Sequence, residues 1–503
     1  MPLRVVVALS LAGCGARTPL SAPPPARDAG AAVVIVPDAG ADAGPAVLPD
    51  AGPPVPAERC SRDRDCSVGV CAANDGIPAV DLAALSLRCA PLGAVGPPHT
   101  ACDDGPGCDH GICLTAGSCV APCLADDDCA GTEEHCAIVY ARTGPESLQP
   151  VRACVRRVEL AGAATVETET IAGALRALDT DQVPLAPASG DATWVVEGPP
   201  DVELYATQLA SRDSTPRVVW DVFAFGPGTA TQSNPVTYGV WPVVVRVPIG
   251  STPLSSETGW SLGIQASAPG DVRVTRFTRT DAGRLLDLHV FYVGVPDEPA
   301  GPRGPRWLAS SLDTAERYLA ALGIRIGTIT QHRVVGALRE RYAIIEEDPS
   351  TYVYPDLGPM MALSADARGP GLNLFFVRYI DAAQGISGGI PGPPGMHGTT
   401  ASGVAIAADE ILGAPELIGL VVAHEASHYL GLFHTSEADG SVLEPLSDTP
   451  ECRPFRDLDG DGYVTTAECG TAYGADNLMF WAAEGTAVSA EQGRIVGGAL
   501  LLR

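Results

Sequence analysis

The sequence predicts a multidomain protein with cysteine-rich disulfide repeats, then an all-β sandwich, then an α/β (α+β) domain. Three observations predict this order. Twelve of the fifteen cysteines fall between residues 60 and 154. Short β-branched segments separated by Gly, Pro, Ser and Asp fill residues 156–298. From residue 299 to 503, segments with helical spacing alternate with strand-like segments.

The composition narrows the classes of partner. The 503 residues carry 32 basic and 60 acidic side chains, a net charge of −28, and every basic residue is Arg. Such an acidic chain is repelled by nucleic acid and by anionic membrane surfaces, so neither is expected as a partner. No feature of the sequence indicates an oligomeric state.

The first residues are typical of an export signal. Residues 1–13 hold one early Arg and an apolar run that is too short for a permanent membrane span. Leu11–Cys14 resembles the lipobox of bacterial lipoproteins, which implies that Cys14 is acylated and becomes the mature N-terminus; an ordinary signal peptide is the alternative. Membrane attachment would then be by lipid alone. Gly15 occupies the position where an Asp retains lipoproteins at the inner membrane, which favours the outer membrane or surface of a Gram-negative cell.

Residues 14–57 continue as a linker of Ala, Pro, Gly and Asp that cannot bury enough apolar surface to fold. The cysteine-rich region, 58–155, follows with three groups of four cysteines that each begin C-x5-C. The groups are Cys60, Cys66, Cys71 and Cys89; Cys102, Cys108, Cys113 and Cys119; and Cys123, Cys129, Cys136 and Cys154. The repeats lack C-x-x-C pairs, so disulfides are favoured over zinc, and each group allows three connectivities.

Residues 156–298 are predicted to form the sandwich from six segments. They read VELYATQL, RVVWDVFAF, GVWPVVVRV, WSLGIQASA, DVRVTRFT and LLDLHVFYVG. No catalytic constellation occurs among them. An accessory packing domain is therefore the main interpretation, with a binding module as the alternative.

The last 200 residues are predicted to mix helices and strands. A helix is expected over 307–322 and stops at Gly323, and a second is expected over 415–430. Strands are expected in IRIGTITQHRVV, LNLFFVRYI and SGVAIAADE, with a Gly/Pro-rich loop between the last two.

The second helix carries HEASHYLGLFH, residues 424–434. On a helix, His424 and His428 lie one turn apart on one face, so that both imidazoles can reach one ion. Gly431 ends the helix and lets the chain bring back His434 as a third ligand. Three protein ligands leave a fourth tetrahedral position for water, which is the arrangement of a catalytic zinc, and Glu425 can reach that water. Two histidines on an amphipathic helix could also be ordinary core residues, but five specified positions coincide here.

The motif H-E-x-x-H-x-x-G-x-x-H resembles the metzincin signature at every position. The resemblance covers the last 200 residues and implies a zinc metalloendopeptidase, with Glu425 as general base and a protein or peptide as substrate. It also implies a Met-turn, for which Met479 is the only methionine after His434. Ser447–Pro450 resembles a segment of the pappalysin branch of this family, in which a similar Asp-Thr-Pro follows the third histidine. Some metzincins carry a Tyr two residues after the Met, and this chain has Trp481 at that position. The resemblance therefore does not imply that a Tyr stabilises the transition state here.

Residues 457–468 match a twelve-position EF-hand calcium loop. The predicted ligands are Asp457, Asp459, Asp461, the carbonyl of Tyr463, and Glu468, with Gly460 for the tight turn. Cys452 and Cys469 bracket the loop and are predicted to form a disulfide. The alternative is an acidic surface turn without an ion.

The sequence therefore predicts an exported, lipid-anchored zinc endopeptidase that also binds calcium. One alternative is a non-catalytic cell-surface binding or adhesion protein with an idle metalloprotease-like domain. Another is a latent enzyme in which an upstream side chain, such as an Asp, blocks the zinc.

Overall fold

A computed structural model describes residues 302–503, apart from 335–336, 349–353, 409–412 and 445. Upstream it describes shorter ranges: 70–73, 87–90, 113–114, 119–123, 128–129, 134–144, 147–156, 160, 163–176, 179–187, 192–198, 202, 204–214, 218–221, 242–247, 258–279 and 283–296. The signal segment, Cys14, the linker and half of the cysteines of the first two groups (Cys60, Cys66, Cys102 and Cys108) lie outside the described residues. Among those described, no helix is long and apolar enough to cross a membrane.

The cysteine-rich region contributes antiparallel strands. They are β1 (Val70–Ala73), β2 (Leu87–Ala90), β3 (Cys113–Leu114), β4 (Glu134–Gly144) and β5 (Ser147–Arg156). β1 pairs with β2, and β4 lies between β3 and β5. In the third cysteine group, disulfides join Cys123 to Cys136 and Cys129 to Cys154. The group therefore pairs first with third and second with fourth.

Two four-stranded antiparallel sheets follow. Their strands are β6 (Ala163–Leu175), β7 (Thr180–Leu185), β8 (Ala192–Glu197), β9 (Leu204–Ser211), β10 (Val218–Asp221), β11 (Val243–Val247), β12 (Trp260–Ala266) and β13 (Gly270–Arg279). The sheet orders are β10-β9-β12-β7 and β11-β8-β13-β6. Both sheets contribute to one apolar core, which includes Trp194, Leu209 and Leu262. We refer to this pair of sheets as the sandwich.

The last of the six predicted sandwich segments belongs elsewhere. LLDLHVFYV forms β14 (Leu285–Val293), which pairs in parallel with strands of the C-terminal mixed sheet and not with the sandwich. Its assignment to the sandwich was wrong. The physical reason is visible in its burial, because its last six residues are all buried, as in a parallel strand that is covered on both faces.

The C-terminal part alternates helices and strands. Its helices are α1 (Arg306–Ala321), α2 (Ala337–Arg341), α3 (Leu357–Met361), α4 (Pro415–Tyr429), α5 (Thr466–Cys469) and α6 (Ala490–Gly497). Its strands after β14 are β15 (Arg325–Arg333), β16 (Ile344–Ile345), β17 (Leu372–Val377), β18 (Tyr379–Ile380), β19 (Gly385–Ser387) and β20 (Val404–Ala407). Short 3₁₀ turns occupy Ala362–Asp366, Pro454–Arg456 and Thr471–Tyr473.

The main C-terminal sheet is mixed, in the order β15-β14-β17-β20-β19. Its first four strands run parallel, and β19 closes one edge antiparallel to β20. β16 and β18 pair separately in parallel. One face of the main sheet packs with α1 and α4, and the other packs against a second core that contains Phe291, Phe375 and Ile386. The expected mixture of helices and strands is confirmed.

Both predicted long helices are confirmed to within one residue. α1 covers 306–321 and α4 covers 415–429, with Pro415 at the start of α4 and Glu416 in its first turn. Gly323 follows α1 with φ of +83°, a conformation that favours glycine. The two helices pack closely at Gly419, where an added Cβ would lie 2.4 Å from the main-chain oxygen of Ser311.

This close approach predicts that Gly419→Ala destabilises the protein. The new methyl group would collide with the α1 backbone, which cannot rotate away, so the free energy of unfolding should fall by about 1–3 kcal/mol. Gly493→Ala is the matched control. Its nearest neighbour would lie at 3.6 Å, an ordinary contact, so better helix propensity should stabilise α6 by about 0.5–1 kcal/mol. Urea unfolding of both variants measures the difference, and equal shifts would contradict it.

Candidate metal centre

The helix α4 places the first two histidines of the motif inside the protein. Every residue of α4 from Ile418 to Tyr429 is buried. His424, Glu425 and His428 have no exposed surface at all. A helix that is buried on every side needs apolar residues around most of its circumference, which LIGLVVA supplies. The polar residues that remain must therefore be satisfied by one another, by the backbone or by a bound ion.

The end of α4 is set by Gly431. With φ of +110°, Gly431 adopts a conformation that residues with a Cβ resist. Its N–H donates to the carbonyl of His428 at 2.8 Å, and the N–H of Leu432 donates to the carbonyl of Ser427 at 3.0 Å. These two bonds form the Schellman arrangement that reverses the chain. The reversal brings His434 back to the helix face that carries His424 and His428.

The three imidazoles converge on one point. Their Nε2 atoms form a triangle with sides of 3.2 Å (His424 to His434), 3.1 Å (His428 to His424) and 3.0 Å (His428 to His434). Ligands at about 2.1 Å from a tetrahedral ion are separated by roughly 3.4 Å, so the triangle is close to the size of a metal site. His434 is also buried, with 3% of its surface exposed.

Hydrogen bonds orient all three rings. The Nδ1 of His424 contacts the carbonyl oxygen of Leu478 at 2.7 Å, and the Nδ1 of His428 contacts that of Leu432 at 2.7 Å. The Nδ1 of His434 contacts a carboxylate oxygen of Glu437 at 3.0 Å. Because these oxygens can only accept, each Nδ1 carries a proton, and each ring directs its Nε2 atom toward the other two.

The donor set fits a divalent metal ion. Burial, followed by the neighbouring His434, lowers the pKa of His424 to about 3, and the same causes lower the pKa of His428 well below its usual value. Both rings are therefore neutral, which is the form that binds a metal. Three lone pairs that face one another repel unless a cation lies between them. His424, His428 and His434 therefore form a site that can hold a metal ion.

Glu425 directly follows His424 on α4 and packs against the edge strand β19. A Cβ on Gly385 would lie 2.6 Å from the Cγ of Glu425 and 2.9 Å from its Oε1. Only a residue without a side chain leaves space for the carboxylate at this point. The glycine at the start of β19 was not identified from the sequence, because no local pattern shows that β19 crosses α4.

Met479 lies in a tight turn against the triad. The N–H of Phe480 donates to the carbonyl of Asn477 at 3.0 Å, which closes the turn around Leu478 and Met479. The side chain of Asn477 accepts from the N–H of Met479 at 2.8 Å. One carbonyl of the turn binds His424, as described above, and that of Met479 accepts from the N–H of Thr435 at 2.9 Å. The turn therefore supports the first ligand and the residue that follows the third.

Trp481 follows Met479 by two residues and contacts the acidic loop at 457–468. Its indole N–H donates to the carbonyl of Val464 at 2.7 Å, and the side chain is buried. Trp481 thus connects the turn of Met479 to the acidic loop at 457–468. No role in the chemistry of the site follows for this residue.

The acidic loop brings some of its predicted ligands together. Asp457, Asp459 and Glu468 each place a carboxylate oxygen within 4.8 Å of the other two. Hydrogen bonds from the main chain and hydroxyl of Thr465 lower the pKa of Glu468 to about 2, so this carboxylate is ionised. Asp461 lies outside this group and accepts from the N–H of Tyr463 at 2.8 Å.

The predicted disulfide beside this loop is present. It joins Cys452 to Cys469, so one covalent crosslink brackets the loop. The three carboxylates form a group that could hold a metal ion of unassigned identity. Calcium at this loop therefore stays a prediction.

The orientation of the triad depends on residues that the sequence analysis did not identify. Glu437 follows His434 by three residues, but a loop gives no rule for which side chains meet, so its spacing carried no signal. Asn477 forms a reciprocal amide pair with Gln492 of α6, at 3.2 Å and 3.1 Å. That pair spans two elements, and only the tertiary structure places them in contact.

Comparisons with known proteins give little further support. No protein-family model matches the chain, and no curated protein matches it significantly. Among solved structures, 41 chains match. One is described as "IMPa metallopeptidase in complex with T-antigen", with 12% identity, a TM-score of 0.13, and coverage of 56% of this chain and 32% of that one.

A second is a family two carbohydrate esterase from Cellvibrio japonicus, with 10% identity, a TM-score of 0.09, and coverage of 42% of this chain and 68% of that one. This chain thus spans about a third of the metallopeptidase's length. TM-scores this low do not show a shared fold. The metallopeptidase is therefore a weak structural likeness, and the conclusions about function depend on the site itself.

The contact between His434 and Glu437 predicts a loss of metal affinity in Glu437→Gln. An amide is a weaker acceptor than a carboxylate, so the ring loses orientation and basicity, and the dissociation constant for Zn²⁺ should rise roughly 10- to 100-fold. Competition with a chromogenic chelator measures it. Glu316→Gln is the control, because Glu316 of α1 pairs with Arg303, which precedes that helix, and this substitution should leave affinity unchanged. Wild-type affinity in Glu437→Gln would rule out the orienting role.

Proposed function

We propose that this protein is a zinc-dependent endopeptidase. The observation that carries the proposal is the buried triangle of the Nε2 atoms of His424, His428 and His434. Glu425 directly follows His424 on the helix. Among the residues that the structure describes, these three histidines are grouped without a fourth protein ligand, and such a set suits a catalytic ion better than a structural one. The match to the metzincin signature and the turn at Met479 support peptide hydrolysis as the reaction class.

Zinc is the proposed metal because imidazole nitrogens suit it and the triangle fits tetrahedral coordination. When bound, zinc would supply Lewis-acid activation of water and of a substrate carbonyl. The residues of the chain would do the rest. Leu432, Leu478 and Glu437 hold the three rings in the binding tautomer through their Nδ1 protons.

Glu425 is proposed as the general base and then the general acid. Its carboxylate would take a proton from the attacking water and deliver that proton to the leaving amine, which balances the hydrolysis of one peptide bond. The snug fit against Gly385 restricts its rotamers. A group held in one position loses less entropy when it transfers a proton than a mobile one does.

The proposal extends to location. The apolar start of the chain and the lipobox-like Leu11–Cys14 support export and lipid anchoring. The disulfides at Cys123–Cys136, Cys129–Cys154 and Cys452–Cys469 support an oxidising compartment. We therefore propose a lipoprotein that acts on protein or peptide substrates at the cell surface or outer membrane.

Glu425→Gln is expected to separate metal binding from catalysis. Because Gln has the same shape but cannot accept the proton, casein cleavage should fall by about 10²- to 10⁴-fold, while one zinc per chain remains by elemental analysis. A chelator should abolish cleavage by the wild-type protein. Wild-type cleavage in the variant would disprove the role of Glu425. Absence of any cleavage by the zinc-loaded wild type, across a peptide library, would favour the surface-binding alternative.

We further propose that the loop at 457–468 binds calcium as a structural brace. The three clustered carboxylates, the ionised state of Glu468 and the crosslink Cys452–Cys469 support it. The connection from Val464 to Trp481 places the loop next to the turn of Met479. An ion at the loop would therefore stabilise the segment between the third histidine and that turn.

Calcium should raise the thermal stability of the wild-type protein. A site with a dissociation constant of about 0.1–1 mM, saturated at 10 mM Ca²⁺, contributes roughly 1–3 kcal/mol. Asp457→Asn should lose this stabilisation. Asp439→Asn is the control, because Asp439 only caps a neighbouring turn through Ser441 and should retain the response. Differential scanning fluorimetry measures the shift, and an identical response in both variants would exclude the loop as the site.

A further inference from the structure

The end of α4 leaves four main-chain carbonyl groups without partners inside the helix. Two of them are satisfied by the glycine turn described above. The carbonyl of Tyr429 accepts from the N–H of Gly392 at 3.0 Å. The last, that of Leu430, accepts from Nη1 of Arg246 at 3.1 Å. The final hydrogen bond of the metal-binding helix is therefore supplied by a residue 184 positions away in sequence.

Arg246 comes from the sandwich. It lies on β11 opposite Thr193 of β8, and its neighbours Val245 and Val247 point into the sandwich core. Because side chains alternate along a strand, Arg246 points out of the opposite face of that sheet. That face is not open to solvent, since β8 and β11 are buried at every residue. Arg246 itself is only 3% exposed.

A buried guanidinium needs strong acceptors, because removing its charge from water is costly. The C-terminus of a helix is a favourable location, since its carbonyl groups carry the negative end of the helix dipole. The contact between Arg246 and Leu430 meets both conditions. It is a charge-assisted hydrogen bond inside the protein, which is stronger than one between neutral groups.

The contact lies at the point where the metal motif turns. Leu430 is two residues after His428 and directly before Gly431. A Cβ on Gly431 would lie 3.3 Å from Nη1 of Arg246. The guanidinium therefore bonds Leu430 and lies close to Gly431, at the bend that determines where His434 returns relative to the helix.

We propose that Arg246 is a positioning residue for the metal centre and that the sandwich is needed to complete the site. By holding Leu430 and the bend at Gly431, Arg246 sets the distance between the pair of helical histidines and His434. The inference rests on the metal site of the proposed function. It replaces the interpretation of the sandwich as a packing domain with a direct role in the geometry of the triad.

The chain offers a matched control for this contact. Arg279 on β13 of the same sheet donates to the carbonyl of Ala499 at 2.6 Å. It therefore joins the sandwich to the C-terminal unit with the same chemistry, but it does not contact α4 or the bend at Gly431 through this bond. Removing Arg279 tests the general effect of weakening the interface, whereas removing Arg246 also releases the bend.

The test compares full-length wild type, Arg246→Met and Arg279→Met loaded with Co²⁺, whose visible absorption reports coordination geometry. We expect Arg246→Met to change the Co²⁺ spectrum and to raise the dissociation constant for Zn²⁺ roughly threefold to tenfold, less than loss of a group bonded directly to a ligand. Arg279→Met should keep the wild-type spectrum and affinity, even where thermal stability falls. Arg246→Lys, which has a shorter reach and a single donor head, should show a smaller change in the same direction.

Two results would overturn the inference. One is a folded Arg246→Met protein with wild-type spectrum and affinity; if that variant does not fold, the same result for Arg246→Lys decides. The other is an equal loss in Arg279→Met, which would make the effect a general consequence of a weaker interface. These outcomes are separate from proteolysis, because a wild type that binds zinc but cleaves no peptide would refute the endopeptidase and leave the role of Arg246 standing.

Discussion

The structure of the C-terminal unit depends on three imidazole lone pairs that meet at one buried point. The Nε2 lone pairs of His424, His428 and His434 would repel one another in that arrangement, and an acceptor bonded to the Nδ1 of each ring holds the ring in place. The acceptors come from the turn at Leu478, the bend after α4 and the side chain of Glu437. Two later segments of the chain therefore pack against the histidines of α4. They are the bend that carries Leu432 and His434, and the turn at Leu478.

The same requirement extends outward through the backbone. A helix that ends inside a protein must have its last carbonyl groups satisfied, and α4 meets this with a glycine turn, a Gly/Pro-rich loop and an arginine of the sandwich. Each partner comes from a different part of the chain. The metal site is therefore not a property of one motif alone, and changes in the loop or in the sandwich can reach it through main-chain hydrogen bonds.

The acidic loop and the disulfide beside it restrict the chain between the third histidine and the turn of Met479. The segment between His434 and Met479 contains little regular secondary structure beyond the short helix α5, and most of its backbone hydrogen bonds close local turns. The crosslink Cys452–Cys469 and the contact from Trp481 to Val464 restrict this segment. Restricting the segment limits the positions that the turn of Met479 can adopt. The carbonyl of Leu478 in that turn orients His424.

The features that depend on local spacing are encoded in short stretches of the chain. The two long helices, the bend at Gly431, the histidine triad, Glu425 and the bond Cys452–Cys469 follow from the period of the helix, the freedom of glycine and the placement of cysteines. Other contacts arise from the three-dimensional fold: β14 in the mixed sheet, Gly385 against Glu425, Glu437 on His434 and Arg246 on Leu430. These contacts join residues on separate elements, or on a loop without a fixed period, and no short-range pattern encodes which of them will meet.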